Sequence, residues 1–217
     1  MANVNLITLL QPRSAAAEAY RSLRTNLMFS SVEDPIHTLL VTSAARDDQK
    51  SMTLANLAVT FAQSGNQTIL VDADLRQPKQ HEIWALDKFR GLSAMMLEDS
   101  AITDPPLQNT DVENLQVITS GELPPNPADL LSGKRMNEII SALRDRADYV
   151  LFDSPPVLAA TDAALLGIKL DGALLAIRAG DTRRDHTAQA RQALERVHVR
   201  IVGAVLTNAP GENKIAY

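Results

Sequence analysis

The chain has 217 residues, a formal net charge of -5 and no cysteine. Its 45% apolar and 22% charged composition is that of a folded globular chain able to bury a core without staples, which excludes a disordered polypeptide. The absence of cysteine excludes disulfides and thiolate metal sites and fits a reducing cytoplasm, the acidic balance argues against a duplex nucleic-acid binder, and no stretch approaches the ~20 apolar residues of a membrane span.

In chain order, residues 1–13 read as a loose arm ending near Pro12, without the basic region or cleavage pattern of a signal peptide. SAAAEAYRSLRTNLMFSS reads as a helix capped by Ser14, with Tyr20, Leu23 and Leu27 as its apolar stripe. HTLLVTSA is a buried strand, SMTLANLAVTFAQSG a helix closed by Gly65, and TILVDADL a second buried strand. A mixed region from Pro78 to about Ser120 holds the single tryptophan, Trp84, and LQVITSG is a short third strand. A helix over 127–147, interrupted near Ser132 and Gly133, leads to the fourth strand, DYVLFDSPP. Helix DAALLGIKL, strand GALLAIRAG, helix DHTAQARQALERVH and strand VRIVGAVLTNAP complete the chain, with 209–217 as a short tail. Apolar strands alternating with amphipathic helices predict an α/β fold: a mostly parallel sheet covered by helices on both faces, as one domain over 1–217. Ligands of such sheets bind beyond the carboxyl ends of the strands.

The chemistry-bearing residues all fall at predicted strand ends. The first strand runs into Ser43-Ala44-Ala45-Arg46-Asp47-Asp48-Gln49-Lys50-Ser51, the strand–loop–Lys–Ser–helix layout of a P-loop. In that layout the lysine reaches phosphate, the hydroxyl holds magnesium, and main-chain N–H groups do the rest. The glycines are missing: Gln49 stands where close backbone approach and positive φ favour glycine. Asp47 and Asp48 add negative charge, each costing about 1 kcal/mol against a phosphate charge at ~4 Å in water-like screening. Asp72 and Asp74, two apart at the end of the second strand, are expected on one side of it. They suit magnesium, or one could accept a proton from an attacking hydroxyl. The bland alternative is a pair of solvated acids, one of them paired with Arg76. Asp153 ends the fourth strand in the Walker-B manner, or else caps a loop.

These segments resemble the cytoplasmic kinase domain of the bacterial tyrosine kinases (BY-kinases), from about Pro12 to about Asn208. The likeness is carried by EAYRSLRTNL, with Glu18, Arg21 and Arg24 in an ExxRxxR pattern, by ILVDADLRQPKQH, SGELPPNPADLL and LFDSPPVLAATDA, and by LLAIRAGDTRR. The resemblance implies an ATP-dependent protein-tyrosine autokinase regulating capsule and exopolysaccharide polymerisation and export. It implies that Lys50 and Ser51 bind phosphate and magnesium, that Asp72 serves magnesium or acts as base, that Asp74 assists the metal and that Asp153 holds its water shell. It also implies a homo-oligomer, often a ring, assembled through Glu18, Arg21 and Arg24, and docking on a membrane chain-length regulator from the cytoplasmic side. No nucleic-acid partner is implied. The family loop reads like proline, glycine, acid, glycine before the lysine, where this chain has Arg46, Asp47, Asp48 and Gln49, and Met52 replaces the usual threonine. The tyrosine-rich tail is also missing, with Tyr217 alone in that position. Those departures put ATP and magnesium binding in question and leave a second reading open: a catalytically impaired pseudokinase scaffold in the same export machinery. A partition-type ATPase, a third idea, is argued against by PPNPADLL.

Overall fold

The computed structural model describes residues 4–29, 33–46 and 48–209. Asp47 and Tyr217, which bear on the loop and the tail, lie outside the described residues. The first half of the chain forms α1 (Ile7–Leu10), α2 (Ala15–Phe29), β1 (Thr38–Ser43), α3 (Lys50–Gln63), β2 (Thr68–Asp72), α4 (Gln80–Trp84), α5 (Leu92–Leu97), α6 (Ser100–Thr103), β3 (Gln108–Asn109) and β4 (Leu115–Ile118). The second half forms α7 (Pro127–Ser132), α8 (Lys134–Arg144), β5 (Tyr149–Asp153), α9 (Asp162–Gly167), β6 (Gly172–Arg178), α10 (Arg184–Arg196) and β7 (Ile201–Thr207).

The strands join one sheet in the order β3-β4-β2-β5-β1-β6-β7. All pairings are parallel except that of β3 with β4. Strand residues alternate between two cores, as the pleat requires. Leu40, Ile69, Val71, Val150 and Phe152 belong to one cluster, with residues of α5, α8 and α10; Leu39, Val41, Leu70 and Leu151 belong to the other, with α3 and Leu27 of α2. β1, β2 and β5 are therefore buried on both faces, and their near-continuous apolar runs need no alternation.

Several expected boundaries hold. Ser14 Oγ accepts the Ala17 N–H at 3.2 Å, and Gly65, at φ 88°, takes the left-handed residue that ends α3. The described part of the arm is not loose. Leu6 is fully buried, and the Thr8 N–H and hydroxyl both donate to Asn56 Oδ1 on α3, at 3.1 and 2.9 Å. Leu6, with Val4 and Leu9 packed beside it, and a buried polar pair dock α1, and so short a segment leaves no periodic trace. β3, two residues long and antiparallel, is too short to be seen in the mixed region.

Candidate active site

The topology places the chemistry at the centre of the sheet. β5 lies between β1 and β2, and Asp72 and Asp153 are register partners at the ends of β2 and β5. The loop after β1 delivers Lys50 to the first turn of α3, above those strand ends.

Lys50 gathers the site. Its ammonium donates to Asp74 Oδ2 at 2.9 Å, to Asp153 Oδ1 at 3.0 Å and to the Ser51 hydroxyl at 3.2 Å. The lysine is 5% exposed. Burial works against its charge, but Asp153 and then Asp74 outweigh that and hold its pKa above the ordinary lysine value. Four of the five residues expected from sequence are thus in hydrogen-bonding contact.

Asp72, the fifth, is placed differently. β2 ends at Asp72, so Asp74 lies just beyond the strand, and the two carboxylates take different partners. Asp72 Oδ2 accepts the main-chain N–H groups of Lys79 and Gln80 at 3.0 and 2.9 Å, and Oδ1 that of Asp74 at 3.3 Å. It is fully buried, and its pKa is pushed up to about 8, first by burial and then by the neighbouring Asp153 charge. Asp74 Oδ1 accepts N–H groups from Arg76 and Gln77 at 3.3 and 2.9 Å, leaving Oδ2 for the lysine. Arg76 pairs with neither acid: its guanidinium forms a two-pronged bridge to buried Asp162 at the start of α9, 2.9 Å at each prong.

The loop solves its missing glycines in an unexpected way. Gln49 has φ 58° and ψ 27°, the left-handed conformation for which a glycine is normally kept. Asp48 does not add its charge to the phosphate-facing lining. It is buried; Oδ2 accepts the Ala45 N–H at 2.9 Å, and Oδ1 accepts the hydroxyl of Thr182. Thr207 Oγ1 donates to the Asp48 carbonyl at 3.2 Å. The carboxylate thus latches the loop to the turn after β6, and the main-chain carbonyl ties it to the end of β7.

A cavity of about 600 Å³ opens above the site, lined by Arg46, Gln49, Lys50, Ser51, Asp74 and Gln77 among others. A wider groove of about 750 Å³, lined by Phe89, Leu97 and Leu123, contains none of these residues. The donor set suits its expected ligands: an ammonium and a helix N-terminus for phosphate, and a hydroxyl with carboxylate oxygens for a hard divalent cation.

Two residues escaped the sequence reading. Gln80 binds Asp153 Oδ2 through its side chain at 2.8 Å, and Thr182 holds Asp48. A glutamine inside the polar run QPKQHE carries no local signal, although its i, i+4 spacing from Trp84 would put both on one helix face. On α2, Arg21 donates to Glu18 at 2.8 Å and to the Pro12 carbonyl at 2.8 Å, whereas Arg24 donates to the Thr60 carbonyl of α3 at 2.8 Å. Glu18 is exposed, and both arginines are half-buried.

A family model described as an AAA domain matches residues 49–178. The tyrosine-protein kinase YwqD of Bacillus subtilis is 41% identical over 202 residues, covering 93% of this chain and 85% of YwqD. The putative tyrosine-protein kinase CapB of Staphylococcus aureus is 34% identical over 207 residues, covering 95% of this chain and 90% of CapB. The solved kinase domain of the Escherichia coli tyrosine kinase ETK superposes with a TM-score of 0.92 at 32% identity, covering 100% of this chain and 85% of that one.

Proposed function

The chain belongs to the bacterial tyrosine-kinase family, and on that premise we propose that it transfers the γ-phosphoryl group of ATP to tyrosine hydroxyls, in the control of capsule or exopolysaccharide polymerisation and export. The observation that carries this reading is the convergence of Asp74, Asp153 and the Ser51 hydroxyl on one buried ammonium, Lys50, with every contact within 3.2 Å. The loop amides, the N-terminus of α3 and Lys50 would hold the β- and γ-phosphates. Ser51, Asp74 and Asp153 would hold magnesium, which supplies charge neutralisation on the phosphate oxygens. The acceptor's phenolic oxygen forms a bond to the γ-phosphorus as the bond to the ADP oxygen breaks. The phenolic proton passes to the carboxylate of Asp74, which lines the cavity, or to that of Asp72.

Bringing an anionic nucleotide to Lys50 competes with the two carboxylates for its ammonium. Gln49 already holds the left-handed backbone for which glycine is normally kept, so the departure from glycine leaves a Cβ in the cradle. In this reading the chain works as a homo-oligomer on the cytoplasmic side of the membrane, through the Glu18, Arg21 and Arg24 face, docked on a membrane chain-length regulator. Among the described residues no helix is long and apolar enough to cross a membrane.

Calorimetric titration with magnesium and ATP tests the reading. Saturable micromolar binding that Lys50→Met abolishes is the expected result, together with ATP-dependent phosphotyrosine on the protein itself. No heat at millimolar ATP overturns it. For assembly, Arg21→Ala with Arg24→Ala should lower the mass seen by light scattering; an unchanged mass removes that role.

A further inference from the structure

Gln80 has no assigned role, yet it touches more of the site than any residue except Lys50. It is the first residue of α4 and fully buried. Its side-chain Nε2 donates to Asp153 Oδ2 at 2.8 Å and to the Ser51 carbonyl at 3.1 Å. Its Oε1 accepts the indole N–H of Trp84 at 3.1 Å. Its main-chain N–H donates to Asp72 Oδ2 at 2.9 Å.

Only one orientation of the amide satisfies this environment. A carboxylate and a carbonyl at one end require the NH2 group, and an indole donor at the other end requires the oxygen. Trp84, itself 4% exposed, therefore sets the direction of the amide, and the amide sets the Asp153 carboxylate. With Oδ2 engaged by Gln80, Asp153 turns Oδ1 towards Lys50. The second N–H of the amide ties the same carboxylate to the first turn of α3. One side chain from a third element thus joins the β5 acid to the main chain of Ser51, beside the Lys50 ammonium that meets both residues.

We propose that Gln80 is a positioning residue for the divalent cation of this site, presenting a single oxygen of Asp153 to the metal's shell and fixing it relative to Ser51. The proposal rests on the phosphoryl-transfer reading above. Partners that orient a metal-binding carboxylate typically account for 10–100-fold in metal affinity when removed.

The test is a Mn2+ titration followed by electron paramagnetic resonance in the presence of ADP, on the unaltered protein and on Gln80→Met, with ADP affinity measured separately without metal. The expected result is a Mn2+ dissociation constant raised by roughly 10-fold or more, with metal-free ADP affinity unchanged. Equal Mn2+ affinity in the two proteins overturns the role of Gln80 and leaves the kinase reading standing. A parallel loss of metal-free ADP affinity shows a merely structural residue and also overturns it. An unaltered protein that binds neither ADP nor Mn2+ overturns both readings together. If Gln80→Met does not fold, Trp84→Phe carries the test. It removes the donor that directs the amide, and a smaller rise in the Mn2+ dissociation constant is expected; no rise overturns the proposal.

Discussion

Thr182, in the turn after β6, donates its hydroxyl hydrogen to the buried Asp48 carboxylate, 134 residues earlier in the chain. The same carboxylate closes the loop on itself through the Ala45 N–H. Asp48→Ala strips both donors of their acceptor and should cost about 2–3 kcal/mol, and Thr182→Val about 1 kcal/mol, in urea denaturation. Because the two residues share a bond, the double variant should fall short of the sum by about 1 kcal/mol. Strict additivity would show that the latch is not energetically coupled.

Gln49 holds a left-handed backbone that disfavours any side chain by roughly 1–2 kcal/mol. Gln49→Gly relieves that cost and adds chain entropy to the unfolded state, so the net gain in stability should be no more than about 1 kcal/mol. The larger effect should be on ATP: removing the Cβ from the cradle tightens binding in calorimetry, and Gln49→Ala does not. An affinity unmoved by the glycine would mean that the loop already approaches phosphate closely.

The Asp72 carboxyl, ordinarily at 3.8, is raised to about 8, by burial first and then by Asp153. The folded state holds this proton more tightly than the unfolded chain. Its stabilising contribution is therefore complete below about pH 4 and is lost as pH rises through 8. The ligand-free protein should lose stability between pH 5 and 8, with a slope from this group of up to about 1.4 kcal/mol per pH unit. Asp72→Asn keeps a carbonyl for the Lys79 and Gln80 amides and should flatten the profile; identical profiles would place the titration elsewhere.

Lys50→Met removes the cation shared by Asp74 and Asp153, both nearly or fully buried. Breaking a buried pair from one side costs about 3–5 kcal/mol. A melting temperature equal to that of the parent protein at neutral pH would contradict the ion-pair geometry.

Arg76 bridges the loop after β2 to Asp162, which is fully buried although the arginine side chain is 44% exposed. Arg76→Ala should cost about 2 kcal/mol by leaving that acid unpaired. Arg76→Lys should recover less than half, since an ammonium cannot supply two parallel bonds to one carboxylate. Full rescue by lysine would reduce the bridge to simple charge.

Much of this protein was legible along the chain. Runs such as TLLVTS and YVLFD signal strands buried on both faces, because burial on both faces removes the need for alternation. Lys50, Ser51, Asp74 and Asp153 announce themselves by standing where those runs end, and sheet topology gathers strand ends. Even the strain at Gln49 follows from its place before the lysine. What could not be read locally was how each polar side chain chose its partner. The i, i+2 spacing of Asp72 and Asp74 does not say that the strand stops between them, sending one carboxylate to the α4 amides and the other to the lysine. Asp48 reads as a misplaced charge until Thr182 arrives from the turn after the neighbouring strand β6, and Gln80 carries no signal until α4 brings it to Asp153. Backbone periodicity is a local property repeated many times, whereas a buried hydrogen bond is a single pairing between distant residues, settled only when packing excludes water from both.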